Sequence, residues 1–600
     1  MREIPLQYYC PGAYSPIEPA SPRKQAASTI AGHRVTNRNA FGKFIMSWQT
    51  HEVLNQFDEL TAYNLYSTDA ALVQGVQQSG AGAFATTLAG YGERIGRTEN
   101  FLLAEQANRF VPTLRVFDGR GRRIDQVDYH PSWHTLLAQF RDAGFVSMAF
   151  DEQRPGRWVA ASVGFYLHSQ VEAGTMCPAS MTQACIPLLQ KEPVLWPQLG
   201  ERLFANAYDR RDLPIDQKRS VWIGMGMTEK QGGSDVRSNT TTATAEGAGG
   251  RGTAYRLRGH KWFLSAPMSD AHLVVARSQE GYSCFYVPRW CPDGTKNAVQ
   301  IQRLKDKLGN RSNASGEVEF QDAWGVLLGE EGHGIRTIIE MATYTRLSCV
   351  IAGAAIVRQC LVQALSYTRQ RRAFGRHLVD QPLMRGVLAD LALESEAAVV
   401  LMLRLAQAFE NAGAPQQRAW IRIMTPAAKF WVCKRAVELS GEAMEVFGGN
   451  GYVEDSPLAR LYREAPVNSI WEGSGNVMCL DVLKSVAQEP QIAQALLDEL
   501  EGLAGAEPKI RAELAALRRD LTLPPDALET LGRSLVQRLV LVAQACLLQA
   551  QAPSAVAEGF LVSRLGGNWG HVVGAIDTRR FNAQAVLERS FAAGLTDARL

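Results

Sequence analysis

Between residues 223 and 333 the sequence changes its period, and this constrains the fold more than any other feature. Short runs such as Tyr255-Arg256-Leu257-Arg258-Gly259, His272-Leu273-Val274-Val275-Ala276 and Ser283-Cys284-Phe285-Tyr286-Val287 are separated by Gly and Pro. Glu317-Val318-Glu319-Phe320 alternates strictly, which puts Val318 and Phe320 on one face. The stretch reads as a compact domain of antiparallel strands. On both sides the spacing is helical, so the chain belongs to the α+β class. Residues 47–222 are mainly helical, with turns at clusters such as Asp118-Gly119-Arg120-Gly121.

Past the β domain, Leu347, Val350, Ala354, Val357, Leu361 and Leu365 recur at three and four, marking a long amphipathic helix. A second helix starts near Leu383 and runs past Leu405. A third covers about Pro426 to Phe447 and stops at Gly448-Gly449. Residues 334–485 therefore form a helical bundle. Residues 486–600 are an Ala/Leu-rich helical appendix with a break at Pro524-Pro525. Residues 1–46, with prolines at 5, 11, 16, 19 and 22, lack a sustained period and read as an irregular extension, with Met46 an alternative start.

Composition narrows the class. Six hundred residues exceed one core. A formal net charge of +3 does not advertise a nucleic-acid or membrane partner for the whole chain. The ten cysteines contain no C-x-x-C pair and have no partners at zinc spacing, so thiols in a reducing compartment and no metal are expected. The chain opens without an apolar signal core. Its longest uncharged stretch, Leu539 to Ala557, contains three glutamines and Pro553, which suits a buried helix and a turn. These features point to a cytoplasmic protein. A serine hydrolase is excluded because no G-x-S-x-G occurs.

Three segments carry chemistry. In Met225-Gly226-Met227-Thr228-Glu229-Lys230-Gln231-Gly232-Gly233-Ser234-Asp235, small residues let backbone N–H groups approach a flat ring or a phosphate, and hydroxyls can donate to it. Read alone, it serves equally as a turn-rich loop. It is no dinucleotide fingerprint, because the third glycine position after Gly224-Met225-Gly226 holds Glu229. Lys261-Trp262-Phe263-Leu264-Ser265 ends a strand; its aromatics suit a flavin ring or plain core packing. In Ile470-Trp471-Glu472-Gly473-Ser474-Gly475-Asn476, a carboxylate sits between an aromatic and a Gly-Ser-Gly turn. An apolar setting would raise its pKa toward that of a general base; a turn or capping glutamate is the alternative.

Together and in this order, these segments resemble the acyl-CoA dehydrogenase family, more narrowly its AidB branch, the adaptive-response proteins linked to DNA alkylation. Gly224 to Val236, Leu304 to Ser315 and Pro466 to Asn476 carry the likeness, which runs from near Trp48 to about residue 485 and more weakly beyond. The resemblance implies an N-terminal helical domain, a β domain and a C-terminal four-helix bundle with FAD between them, usually as a homotetramer. It assigns flavin contacts to Met225, Gly226, Met227, Thr228, Gly233, Ser234, Phe263, Leu264 and Ser265. It extends them through Ile470, Trp471, Gly473, Ser474, Gly475 and Asn476 to Leu480. Thr228 and Ser234 become donors to the cofactor, and Arg371 meets the FAD pyrophosphate of a neighbouring subunit.

By the same resemblance, Glu472 takes the α-proton of an acyl-CoA while the flavin accepts hydride from the β-carbon. The Glu472 N–H and a ribityl hydroxyl polarise the thioester carbonyl. Two residues depart from the family pattern. Glu445 replaces a common Gln, and is expected to face elsewhere or pair with an arginine. Trp471 replaces a common Tyr, which reshapes the acyl pocket. The acyl chain and the electron acceptor stay open, with a short or branched acyl group as the expectation.

The branch is also linked to double-stranded DNA through its C-terminal region, which offers a second function: a DNA-associated flavoprotein with vestigial dehydrogenase activity. Residues 485–600 carry eleven Lys and Arg against thirteen Asp and Glu, a net of −2. Phosphate binding would therefore need Arg518, Arg519, Arg533, Arg538, Arg564, Arg579 and Arg580 to converge, perhaps joined by Arg460 and Arg463.

Overall fold

The computed structural model describes residues 36–38, 44–46, 50–151, 154–565 and 571–592, in two units, Met1–Leu54 and Asn55–Leu600. In the first, Thr36–Arg38 pairs antiparallel with Phe44–Met46, a short ladder inside the extension expected to be irregular. The remainder of that extension lies outside the described residues.

The second unit begins with helices, among them Arg157–Val171 and Met176–Leu189, interrupted by a hairpin of Thr113–Phe117 and Arg123–Asp128. The Asp118 cluster is therefore the turn of a hairpin and not a break between helices. The Asp118 carboxylate accepts from the N–H groups of Arg120 (2.8 Å) and Arg122 (2.9 Å), and Gly121 supplies φ +76°.

The β domain has seven strands. Val299–Leu304, Ser315–Leu328, Ala254–Ser265, Thr242–Ala245, Ala271–Ser278 and Ile223–Gly226 follow in spatial order. Gly281–Pro288 bridges Ala271–Ser278 and the end of Ser315–Leu328, so the sheet curls back on itself. Val318 and Phe320 both point into the core. The expectation of purely antiparallel strands needs correction. Ile223–Gly226 runs parallel to Ala271–Ser278, and Thr242 bridges Arg277 in the same sense. No hairpin joins Ile223–Gly226 to its neighbour; a long crossover does, and such a connection permits parallel pairing.

The Gly334–Gln370 helix is about 55 Å long at 1.5 Å per residue. Expected to be amphipathic, it is buried almost all round between Thr345 and Thr368, because Arg157–Val171, Met176–Leu189, Pro382–Glu410 and Thr425–Val446 enclose it. Its buried Arg358 is matched by the Asp69 carboxylate at 3.2 Å and donates to the carbonyls of Thr68 and Ser590. This helix and Pro525–Gln551 are long and apolar enough to cross a membrane, yet 94% and 72% of their most apolar windows are buried inside the protein.

Pro490–Ala504, Pro508–Asp520 and Pro525–Gln551 each start with proline in the first turn, where a missing N–H costs nothing. Ser554–Arg564 and Ala583–Ser590 complete the appendix. Arg564, fully buried, meets both Asp390 and Glu394 of the Pro382–Glu410 helix, which fastens appendix to bundle.

Candidate active site

Glu472 and Gly473 form a tight turn between the Pro457–Asn468 and Gly475–Gln488 helices, with φ of +58° and +106°. A left-handed glutamate is strained by about 1–3 kcal/mol, and such strain persists where the surroundings fix it. Three side chains from the bundle do so. Thr345 Oγ1 donates to Glu472 Oε2 at 2.7 Å, and Arg346 Nε donates to the Glu472 carbonyl at 3.1 Å. Lys429 Nζ donates to the Gly473 carbonyl at 2.7 Å. Arg346 is itself anchored by Asp481 at 2.5 Å. Desolvation raises the Glu472 pKa above the usual carboxylate range, against opposing pulls from Thr345, Arg346 and Lys429.

Ile470 (64% exposed), just before this turn, and Phe263 (51% exposed), on the Ala254–Ser265 strand, leave apolar surface uncovered. Trp471, Met227 and Tyr344 pack on a smaller apolar cluster that contains Cys177, Met181 and Met225. Cys177 links the segments: its buried thiol sits against Ser265 and feels the charge of Glu472.

The Met225–Asp235 segment leaves its strand after Gly226 and folds into a turn in which Glu229 and Gly232 exchange backbone hydrogen bonds of 3.2 and 3.1 Å. It abuts the second segment. Trp262 N–H donates to the Thr228 carbonyl at 2.8 Å, and a Cβ on Gly226 would lie 2.7 Å from Leu264. At Gly233 a Cβ would meet Thr228 Oγ1 at 2.5 Å, so only glycine permits this approach.

Sequence reasoning missed the brace under the turn. The fully buried Glu229 carboxylate takes a 2.7 Å contact from the equally buried Lys261, and also hydrogen bonds from Thr240, Thr241 and Gln231. Lys261 and these donors hold its pKa down to about 2. The only sequence hint was an acid where a nucleotide fingerprint needs glycine. By contrast, the hydroxyls of Thr228 and Ser234 make no hydrogen bond among the described residues and are free to serve a ligand.

Other expected contacts are placed differently. Ser474 is exposed at the start of its helix, Gly475 is pressed against Lys434, and Asn476 accepts from Arg533 of the appendix at 2.8 Å. Arg371 is not brought to this site within one chain. It caps the helix that begins before Thr345, 26 residues further on and therefore about 39 Å away. Its guanidinium donates to the Asn55 carbonyl, and it precedes a hairpin whose tip, Phe374, is 98% exposed. Glu445 is exposed and forms no ion pair among the described residues. Five of the arginines considered for phosphate are engaged by acids: Arg463 by Glu454, Arg518 by Asp498 and Glu501, Arg538 by Glu513 and Asp520, Arg564 by Asp390 and Glu394, and Arg579 by Asp577.

Uncovered apolar side chains, a glycine turn and unused hydroxyls together fit a flat, polar-edged ring such as a flavin. Three family models match the chain: the adaptive response protein AidB N-terminal domain over residues 55–210, the acyl-CoA dehydrogenase middle domain over 224–323 and the acyl-CoA dehydrogenase C-terminal domain over 332–487. The AidB protein of Escherichia coli (strain K12) is 47% identical over 83% of this chain and 91% of its own. Acyl-CoA dehydrogenase family member 11 of Caenorhabditis elegans is 29% identical over 86% of this chain and 84% of its own. The solved Bd2924 apo-form is 27% identical with a TM-score of 0.76, over 83% of this chain and all of that one. The Caenorhabditis elegans ACDH-11 complex with C11-CoA, 24% identical, shares the fold with a TM-score of 0.78 over 92% and 97%.

Proposed function

This chain belongs to the acyl-CoA dehydrogenase family, on its AidB branch, and from that premise we propose that it desaturates an acyl-CoA between the α and β carbons, with Glu472 as the base and FAD as the cofactor. One observation carries the assignment: a carboxylate held by Thr345 in a desolvating recess, on a strained turn, beside uncovered apolar surface. The flavin, when bound, supplies the hydride acceptor. Glu472 takes the α-proton, and its raised pKa makes it a stronger base than a solvated carboxylate. Its own N–H makes no hydrogen bond among the described residues, which leaves it for the thioester carbonyl.

Crowding near the base supports a short or branched acyl group. Tyr344, next to Thr345, stacks on Trp158 at 5.8 Å and meets Phe150 edge-on at 6.1 Å. Thr228 and Ser234 are assigned as donors to FAD. Arg371 is assigned to the FAD of a second subunit, a reading supported by its distance from Thr345 and by the bare hairpin tip at Phe374. That sharing calls for at least two copies, and we assign the homotetramer that the family resemblance implies. The nine described cysteines are all free and eight are buried, in keeping with a cytoplasmic setting. Association with duplex DNA has less behind it, because most of the candidate arginines already have acidic partners.

An anaerobic titration with short, branched and eleven-carbon acyl-CoAs tests the assignment. Prompt bleaching of the flavin by a compact member, abolished in Glu472→Gln with the flavin retained, is the expected result. A flavin left oxidised by the whole panel would overturn it.

A further inference from the structure

The loop between the strands Val299–Leu304 and Ser315–Leu328 carries a lysine that the reaction above does not use. Lys307 is half-buried; its Nζ donates to the Asn313 carbonyl at 2.6 Å and to Ser315 Oγ at 3.1 Å. Among the described residues it forms no ion pair with a carboxylate. An ammonium withdrawn from water with no carboxylate in contact carries a desolvation cost that the charge of nearby Glu464 offsets only in part, so its placement calls for a reason.

Hydrogen-bond direction supplies one. An ammonium has donors and no acceptor, so Ser315 Oγ must accept from Lys307 and send its own hydrogen elsewhere. Ser265 Oγ lies 3.5 Å away, directly across the ladder, where Ser315 and Ser265 are register partners. That separation is longer than a formed hydroxyl hydrogen bond, and a small side-chain adjustment closes it. Ser265 then accepts from behind, the Cys177 thiol against it donates to its second lone pair, and its own hydrogen is left for the half-open face beside Phe263.

We propose that Lys307 is a positioning residue for the flavin: through Ser315 it orients the Ser265 hydroxyl as a donor toward the cofactor and sets a positive charge behind it. The inference rests on the flavin reading above. A fixed cation and a fixed donor favour the electron-rich form of a ring, so flavin reduction is easier while Lys307 is charged.

Burial lowers the Lys307 pKa to about 8, so the charge is present at neutral pH and is lost as pH rises through that value. Of the groups facing it, Glu464 titrates nearby, so Lys307→Arg, which keeps Glu464, is the reference for the pH comparison. Cys177, from Met176–Leu189, is pushed up to about 11, and Glu464, from Pro457–Asn468, up to about 7. His272, on the strand behind Ser265, is pushed down to about 4 and is neutral. Arg311 Nε donates to the Lys307 carbonyl at 3.1 Å.

The test is equilibrium reduction of the bound FAD against reference dyes, without acyl substrate, from pH 6.5 to 9.5. The wild type is compared with Lys307→Met, Lys307→Arg and Ser315→Ala. At pH 7 the Met and Ala variants are expected to shift the equilibrium about tenfold toward oxidised flavin, which is about 30 mV for a two-electron couple. The wild-type advantage narrows above about pH 8 while Lys307→Arg keeps it, a split that a merely structural role would not produce. If Lys307→Met fails to fold, Ser315→Ala carries the comparison. Equal potentials in the wild type and Ser315→Ala, with FAD bound to both, overturn the proposal. A wild type that binds no FAD overturns the flavin reading, and this inference with it.

Discussion

The Thr345 hydroxyl lies 2.7 Å from the Glu472 carboxylate, although 127 residues separate them in the chain. A donor from the central helix therefore offsets part of the desolvation that governs how readily the base ionises. Thr345→Val keeps the side-chain shape and removes that donor, so the Glu472 pKa rises further. The base works only when ionised, and activity is lost as pH falls through its pKa. The acid limb of the kcat/KM profile is expected to move up by about one unit, the scale of a hydrogen bond to a charged group. An unmoved limb in stopped-flow reduction at a series of pH values would count against the pairing.

Glu472→Gln separates the base from the fold. A carboxyl whose folded pKa is raised contributes stability below its unfolded pKa and loses it as pH rises through the folded value. At neutral pH the wild type therefore carries a desolvation cost that the neutral amide avoids. The variant is expected to be at least as stable as the wild type in urea at pH 7, while reduction by substrate falls by more than about a thousandfold. A clearly less stable variant would show that the carboxylate charge supports the turn.

The Glu229–Lys261 pair is a different case, because both side chains are fully buried and Glu229 has a depressed pKa. Its contribution is present above the ordinary carboxylate pKa and lost as pH falls toward about 2. Lys261→Met leaves a buried carboxylate without its cation and is expected to cost about 3–5 kcal/mol. Pairing it with Glu229→Gln should recover part of that loss. Urea unfolding of the single and double variants measures the coupling, and additive losses would refute it.

At the other end of the long helix, Phe374 stands bare at the tip of a two-residue hairpin turn. Phe374→Asp is expected to give a smaller species in light scattering and to loosen FAD, because Arg371 would no longer reach a neighbour. An assembly of unchanged mass would remove the case for sharing through this hairpin.

Arg564→Leu tests whether the appendix is part of the fold. The substitution takes the cation from buried Asp390, leaves Glu394 with Arg435 alone, and is expected to cost several kcal/mol, about the 3–5 kcal/mol of a broken buried pair. A loss confined to DNA affinity, with unchanged unfolding, would show instead that Arg564 faces a ligand.

Much of this protein was legible in its residues. The period change at 223 marked the β domain, because alternation and three-and-four spacing each commit a segment to one geometry before any partner is present. The Trp471-Glu472-Gly473 run offered either a base or a turn glutamate, and the family resemblance singled out the base. Other features depended on contacts distant in sequence. Periodicity named the buried face of the Gly334–Gln370 helix, but only the enclosing helices made it buried all round. The sequence placed residue 223 at the edge of the β domain without naming Ile223–Gly226 as a strand, and its parallel pairing came from the crossover that follows. Glu229, Lys307 and Arg564 looked like ordinary charges; their roles come from distant carboxylates, hydroxyls and cations that the fold brings within 3.2 Å. The sequence by itself determined where the β domain and the long helices on either side of it lie, since local sterics and hydrophobic spacing act between near neighbours. Only the tertiary structure decided which charges were paired, which hydroxyls were left free and how strongly Glu472 is desolvated, because those depend on distances that folding alone establishes.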